Sequence, residues 1–75
     1  MKKKIPEKLV IHNRLHVLRA EKRLTQEELA ENVGVTRATI IAIEKGAYNP
    51  TMELAFKFSL FFETPVENIF FLGRN

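Results

Sequence analysis

The sequence predicts a compact all-α domain of five short helices, and three observations carry that prediction. Apolar residues recur at three- and four-residue spacing through most of the chain, as one buried helical face requires. Residues that cap helix starts stand just ahead of these runs, at Asn13, Thr25, Thr36 and Thr51. Glycine or proline punctuates the gaps, and 75 residues suffice for one domain with a small core.

Taken in order, residues 1–12 read as a basic arm, 13–72 as the helical domain and 73–75 as a tail. The arm carries Lys2, Lys3, Lys4 and Lys8, and Pro6 discourages helix in the residue before it. It is read as a solvated terminus, with phosphate contact as the alternative. Leu9-Val10-Ile11 is apolar and mostly β-branched, suited to an extended segment that docks on the body or on a partner chain. Asn13 caps a first helix from Arg14 to about Lys22, with Leu15, Leu18 and Ala20 facing inward.

Thr25 and Glu28 then form a Thr-x-x-Glu capping box that satisfies free backbone donors at a helix start. Leu29, Ala30 and Val33 share the buried face of this second helix. Gly34 follows where a left-handed residue is wanted. Thr36 caps a third helix, with Ile40 and Ile43 inward, and Gly46 marks its end. Two helices across a glycine-containing turn match a helix-turn-helix. Gly46 to Pro50 is a loop, and Thr51 caps a fourth helix to about Phe62, burying Leu54, Ala55, Phe58 and Phe62. Thr64-Pro65 starts a fifth helix, Val66 to about Phe71, whose Val66, Ile69 and Phe70 close the core. No strand is expected in the body.

The run Leu24-Thr25-Gln26-Glu27-Glu28-Leu29-Ala30, then Val33-Gly34-Val35-Thr36, then Ile40 to Gly46 and Asn49-Pro50, resembles the Xre/Cro-type helix-turn-helix regulators, the class of the lambdoid phage repressors. The likeness runs from about Asn13 to Phe70. It implies a lambda-repressor-like fold, binding to double-stranded DNA and regulation of transcription. It also implies an ion pair between Arg19 and Glu44, and a Gln26 that contacts the DNA backbone while buttressing the third helix. The sequence departs from the family pattern at Val17, Ala38, Ile41, Leu60, Phe61 and Glu63.

On this reading the third helix lies in the major groove. Arg37 is the candidate base reader, since a guanidinium can donate two hydrogen bonds to guanine O6 and N7. Thr36 and Thr39 offer hydroxyls to phosphate or base, and Ala38 offers contact to a thymine methyl. Ile41 and Ala42 lie further along the same side, and Ile41 is equally a candidate protein contact. Thr25 and Gln26 sit at the start of the second helix, where free N–H groups favour an anion. Lys45, Tyr48 and Asn49 follow the reading helix as a second backbone clamp.

Charge and aromatic distribution add two points. Residues 1–23 hold eight Lys/Arg against two Glu, whereas residues 24–75 hold four against seven. A basic segment beside a mildly acidic body suits a polyanion contacted on one side. All six Phe lie between positions 56 and 71. Once the core is filled, Leu60, Phe61, Phe71 and Leu72 remain as an apolar patch, the expected interface of a homodimer on a palindromic operator.

Enzymatic readings find little. The chain has no cysteine, no Gly-rich phosphate loop and no nucleophile beside a base, so neither catalytic residues nor a cofactor is expected. His12 and His16 have metal-compatible spacing but no third ligand nearby, and are read as surface histidines. Glu27, Glu28 and Glu31 are read as a solvated helix face. No apolar run has the length of a membrane span, so a cytoplasmic location is expected. The expected function is that of a dimeric repressor reading the major groove with residues 36–45. The alternatives are an antitoxin-like or coactivator-like protein-interaction module, and a DNA-binding protein without sequence preference.

Overall fold

Three threonines start three of the helices by the same local chemistry. In the computed structural model, which describes residues 3–73, Thr25, Thr36 and Thr51 each hold an extended backbone and accept a hydrogen bond from the N–H three residues on. Lys2 of the arm and Arg74 and Asn75 of the tail lie outside the described residues. The helices are α1 (Leu15–Glu21), α2 (Gln26–Val33), α3 (Arg37–Glu44) and α4 (Met52–Phe62). At α2 the capping box is reciprocal: the Thr25 hydroxyl accepts from Glu28 N at 3.0 Å, and Glu28 Oε1 accepts from Thr25 N at 2.8 Å. Gly34 ends α2 at φ 77°, and only its backbone conformation demands glycine, since a Cβ there would meet no atom within 4 Å.

The start of α1 differs in detail from the expected cap. Arg14 occupies the cap position without a side-chain bond. Asn13, one residue earlier, does the work: its Oδ1 accepts from Leu15 N at 3.1 Å, and its Nδ2 donates to Ile43 O at 2.9 Å. Ala20, expected inside, is exposed. Leu15 and Leu18 set the inner side of α1, and the next residue, Arg19, turns toward Glu44, so Ala20 is left facing solvent.

The expected fifth helix does not form, and the body does contain strands. Val66–Asn68 makes a single 3-10 turn, after which Phe70–Leu72 is a strand, β2, antiparallel to β1 (Ile11–Asn13). Ile11 faces Leu72, His12 faces Phe71 and Asn13 faces Phe70. Gly73 N donates to Val10 O at 2.7 Å and Arg14 N to Ile69 O at 2.9 Å, extending the ladder at both ends. The physical reason is competition. A helix of six residues nucleates poorly, whereas aromatic and β-branched residues beside a waiting extended partner gain a ladder. The Leu9-Val10-Ile11 segment thus leads directly into a strand on the body. Four α-helices and a two-stranded sheet, among the described residues, replace the five-helix expectation, and the domain stays mostly helical.

The core gathers Leu15 from α1, Leu29, Ala30 and Val33 from α2, Ile40 and Ile43 from α3, Leu54, Phe58 and Phe62 from α4, and Ile69. Phe61 and Phe70 pack against its edge. No polar side chain among the described residues is fully buried.

Glu63 ends α4 in the left-handed region at φ 51°, a conformation that costs a non-glycine residue roughly 1–2 kcal/mol. Its side chain is exposed. Glu63→Gly removes that strain while loosening the unfolded chain by about 0.4–1 kcal/mol. A net gain of about 0.5–1 kcal/mol is expected, read as a rise of a few degrees in Tm.

Candidate nucleic-acid interface

The α2–turn–α3 unit presents one polar face. Val35 N and Gly34 N both donate to Ala30 O, which fixes the turn between the helices. Ile40 and Ile43 anchor α3 from below, and this leaves Thr36, Arg37 and Ala38 exposed at its first turn. Thr39, Ile41 and Ala42 are half-buried along the same helix, and Lys45, Tyr48 and Asn49 are exposed beyond its end. Arg37 makes no hydrogen bond or ion pair among the described residues, so its guanidinium is available to a partner molecule.

Two of the threonines are partly committed to each other. Thr36 Oγ1 lies 3.3 Å from Thr39 N and 3.1 Å from Thr39 Oγ1. One hydroxyl proton is shared within the pair, and the other can still be donated outward.

A charged network fixes α3 relative to α1 and α2. Arg19 Nε donates to Glu44 Oε2 at 2.8 Å and Nη2 to Glu44 Oε1 at 3.2 Å, a two-pronged contact. Arg19 Nη1 donates to Leu24 O at 3.0 Å, in the loop before α2. Gln26 Nε2 donates to Glu44 Oε1 at 3.0 Å, and Gln26 thus spans from the first residue of α2 to the last of α3. Burial alone would raise the Glu44 carboxyl, but the hydrogen bonds from Arg19 and Gln26, with the charges of Arg19 and His16, outweigh it and hold it below its ordinary value. The hydrogen bond to Glu44 raises the Arg19 guanidinium further, against the effect of burial.

Asn13 adds a tie that reading the sequence did not reveal. Its bond to Ile43 O reaches the last turn of α3 across 30 positions, and no local pattern signals it. The four apolar residues expected to pair two copies are spread over two elements. Leu60 is exposed on α4, and Phe61 beside it is half-buried with its ring edge-on to Phe62 at 5.0 Å. Phe71 and Leu72 are exposed on β2, where Phe71 stacks on His12 at 6.0 Å. Among the described residues, no group of three His, Cys, Asp or Glu could hold a metal, and no helix is long and apolar enough to cross a membrane.

Comparison with known proteins gives a consistent result. A family model described as helix-turn-helix matches residues 15–69. An uncharacterized HTH-type transcriptional regulator of Methanocaldococcus jannaschii is 55% identical over 58 residues, covering 77% of this chain and 88% of that protein. The transcriptional repressor RstR of the cryptic phage CTXphi of Vibrio cholerae is 35% identical over 57 residues, covering 76% of this chain and 51% of RstR. A crystal structure of a Bacteroides fragilis protein matches with a TM-score of 0.71 at 25% identity, covering 80% of this chain and 97% of that one.

Proposed function

Since the chain belongs to the helix-turn-helix family of transcriptional regulators, we propose that it binds double-stranded DNA sequence-specifically and represses transcription as a homodimer on a palindromic operator. The observation that carries this reading is Arg37, exposed at the first turn of α3 without a partner in the chain and held there by a buttressed helix. In such motifs the first turn of the second helix reaches base edges. Arg37 is the reader of a guanine, and Ala38 and Ile41 supply apolar contact to thymine methyls.

Thr25, Gln26, Thr36, Thr39, Lys45, Tyr48 and Asn49 take the backbone contacts that set register. Gln26 has one amide proton on Glu44 and keeps its second for phosphate. Ala42, half-buried, lets α3 approach the groove closely. A single domain of this size makes few contacts, so two copies on a two-fold site are required for useful affinity. The similarity to a phage repressor supports repression over activation.

Selection from a random duplex library, followed by titration of enriched and scrambled duplexes over a salt series, tests the proposal. An enriched palindrome is the expected result. Equal affinity for all duplexes with a steep salt dependence would instead indicate binding through phosphates alone.

A further inference from the structure

The exposed side of α4 carries an apolar stripe that no part of the described chain covers. Met52, Phe56 and Leu60 recur at four-residue spacing and are 77%, 55% and 79% exposed, while Leu54, Phe58 and Phe62 bury the opposite side. We propose that this stripe is the surface on which a second copy of the chain docks, with the two α4 helices antiparallel across a two-fold axis at Phe56. This deepens the dimeric reading above and rests on it only for the expectation that the chain pairs.

Self-complementarity argues for a second copy. A two-fold axis at Phe56 sets that ring against its own copy, and sets Met52 opposite the partner's Leu60. Leu60 itself lines an open groove, with Glu31, Asn32, Val33, Gly34, Lys57 and Phe61. The antiparallel arrangement delivers the partner's Met52 to that end, and a flexible thioether suits an irregular groove.

The flanking charges agree. Glu53 and Lys57 lie on one flank of the stripe, with Nζ 3.8 Å from Oε2. The two-fold sets this flank against its copy in reverse order. Glu53, three residues before the axis, then falls within about 3 Å along the helix of the partner's Lys57, one residue past it, at a rise of about 1.5 Å per residue. Two reciprocal opposite-charge contacts result, against one contact between the two Lys57 at a similar offset, while the two Glu53 stand about 9 Å apart along the axis. A parallel pair would instead face this flank with Ala55 and Ser59, and would leave Met52 far from the groove.

The test uses Glu53→Lys, Lys57→Glu and Phe56→Asp in the full chain, with oligomeric state read by sedimentation velocity and folding by circular dichroism. In each charge variant alone two like charges face two of the same sign across the axis, and its dimer Kd is expected to rise about tenfold or more. Mixing the two variants restores opposite charges only between chains, so a heterodimer of wild-type strength is expected. No contact within one helix can produce that recovery. Phe56→Asp is expected to stay folded, because its ring is mostly exposed, and to raise the dimer Kd about 30-fold or more. A wild-type chain that stays monomeric at its highest soluble concentration overturns the proposal, as does a dimer indifferent to all three changes. DNA binding is scored separately on a half-site duplex. A wild-type dimer that binds no DNA sinks the regulator reading alone, and a DNA-binding dimer indifferent to α4 sinks this inference alone.

Discussion

Glu44→Ala is expected to lower the unfolding free energy by about 3 kcal/mol, since removing one partner of a largely buried pair strands the other. Three donors lose their acceptor at once: Arg19 Nε, Arg19 Nη2 and Gln26 Nε2. The Glu44 side chain is 9% exposed and that of Arg19 21%, so water compensates only part of the loss. For a 75-residue domain the total stability is of the order of 4–11 kcal/mol, and the variant stands near the limit of folding. Urea unfolding measures the change, with an accompanying fall in Tm of roughly 15 °C. Replacing Arg19 and Glu44 together by apolar residues of similar size is expected to recover most of the loss. An unchanged urea midpoint for Glu44→Ala would show that the contact contributes nothing.

The same carboxylate sets an acid limit. Its folded value lies below the ordinary 4.5, so its contribution is fully present above that value. The contribution is lost as the pH falls through the lower, folded value. Glu44→Gln, which cannot ionise, lacks that dependence. The Tm difference between the wild type and Glu44→Gln is therefore expected to hold steady from neutral pH to about 5 and to close below it. A difference independent of pH would exclude the ionised form as the stabilising species.

Arg37→Ala is expected to have the largest effect on recognition. A two-pronged Arg–guanine contact is worth about 1–3 kcal/mol, and a dimer makes it twice, so a palindrome loses roughly 2–6 kcal/mol. That is between about 30-fold and 10⁴-fold in Kd. Arg37→Lys separates reading from charge. Lysine keeps the positive charge and hence the salt dependence, but it lacks the planar fork that matches a guanine edge. Titrations of both variants against the operator and against single-base changes are expected to show lost discrimination at one base pair per half-site. A uniform loss across all sequences would make Arg37 a phosphate contact instead.

What could be read from the sequence follows the range of the forces involved. Thr25 with Glu28, Gly34, Thr36 and Thr51 act within four residues, and each stands in the structure where its local chemistry puts it. Phe70 and Phe71 show where local reading fails. Their spacing fits a helix as well as a strand, and the deciding partner, Ile11–Asn13, lies some sixty positions away. The Arg19–Glu44 contact spans 25 positions and entered through the family pattern rather than through any local signal. Arg37 is legible as exposed and basic, but its partner belongs to another molecule, so its role rests on the likeness and on the geometry of α3. The α4 stripe was half visible: Leu60 stood out as an oddity, whereas Met52 and Phe56 join it only once the register of the helix is known.

The pairing of β1 with β2 also orders events in time. The contacts that join α2 to α3 close short loops, whereas the ladder from Val10 to Gly73 closes nearly the whole chain into a loop. Loop-closure entropy must be overcome before so distant a contact stabilises anything. The helical pair is therefore expected to condense first, and the ladder to close after the transition state. Weakening β2 would then speed unfolding and leave the refolding rate unchanged, which a denaturant chevron measures directly. The two strands are joined last and part first, so a protease meets β1 and β2 open while α2 and α3 are still folded.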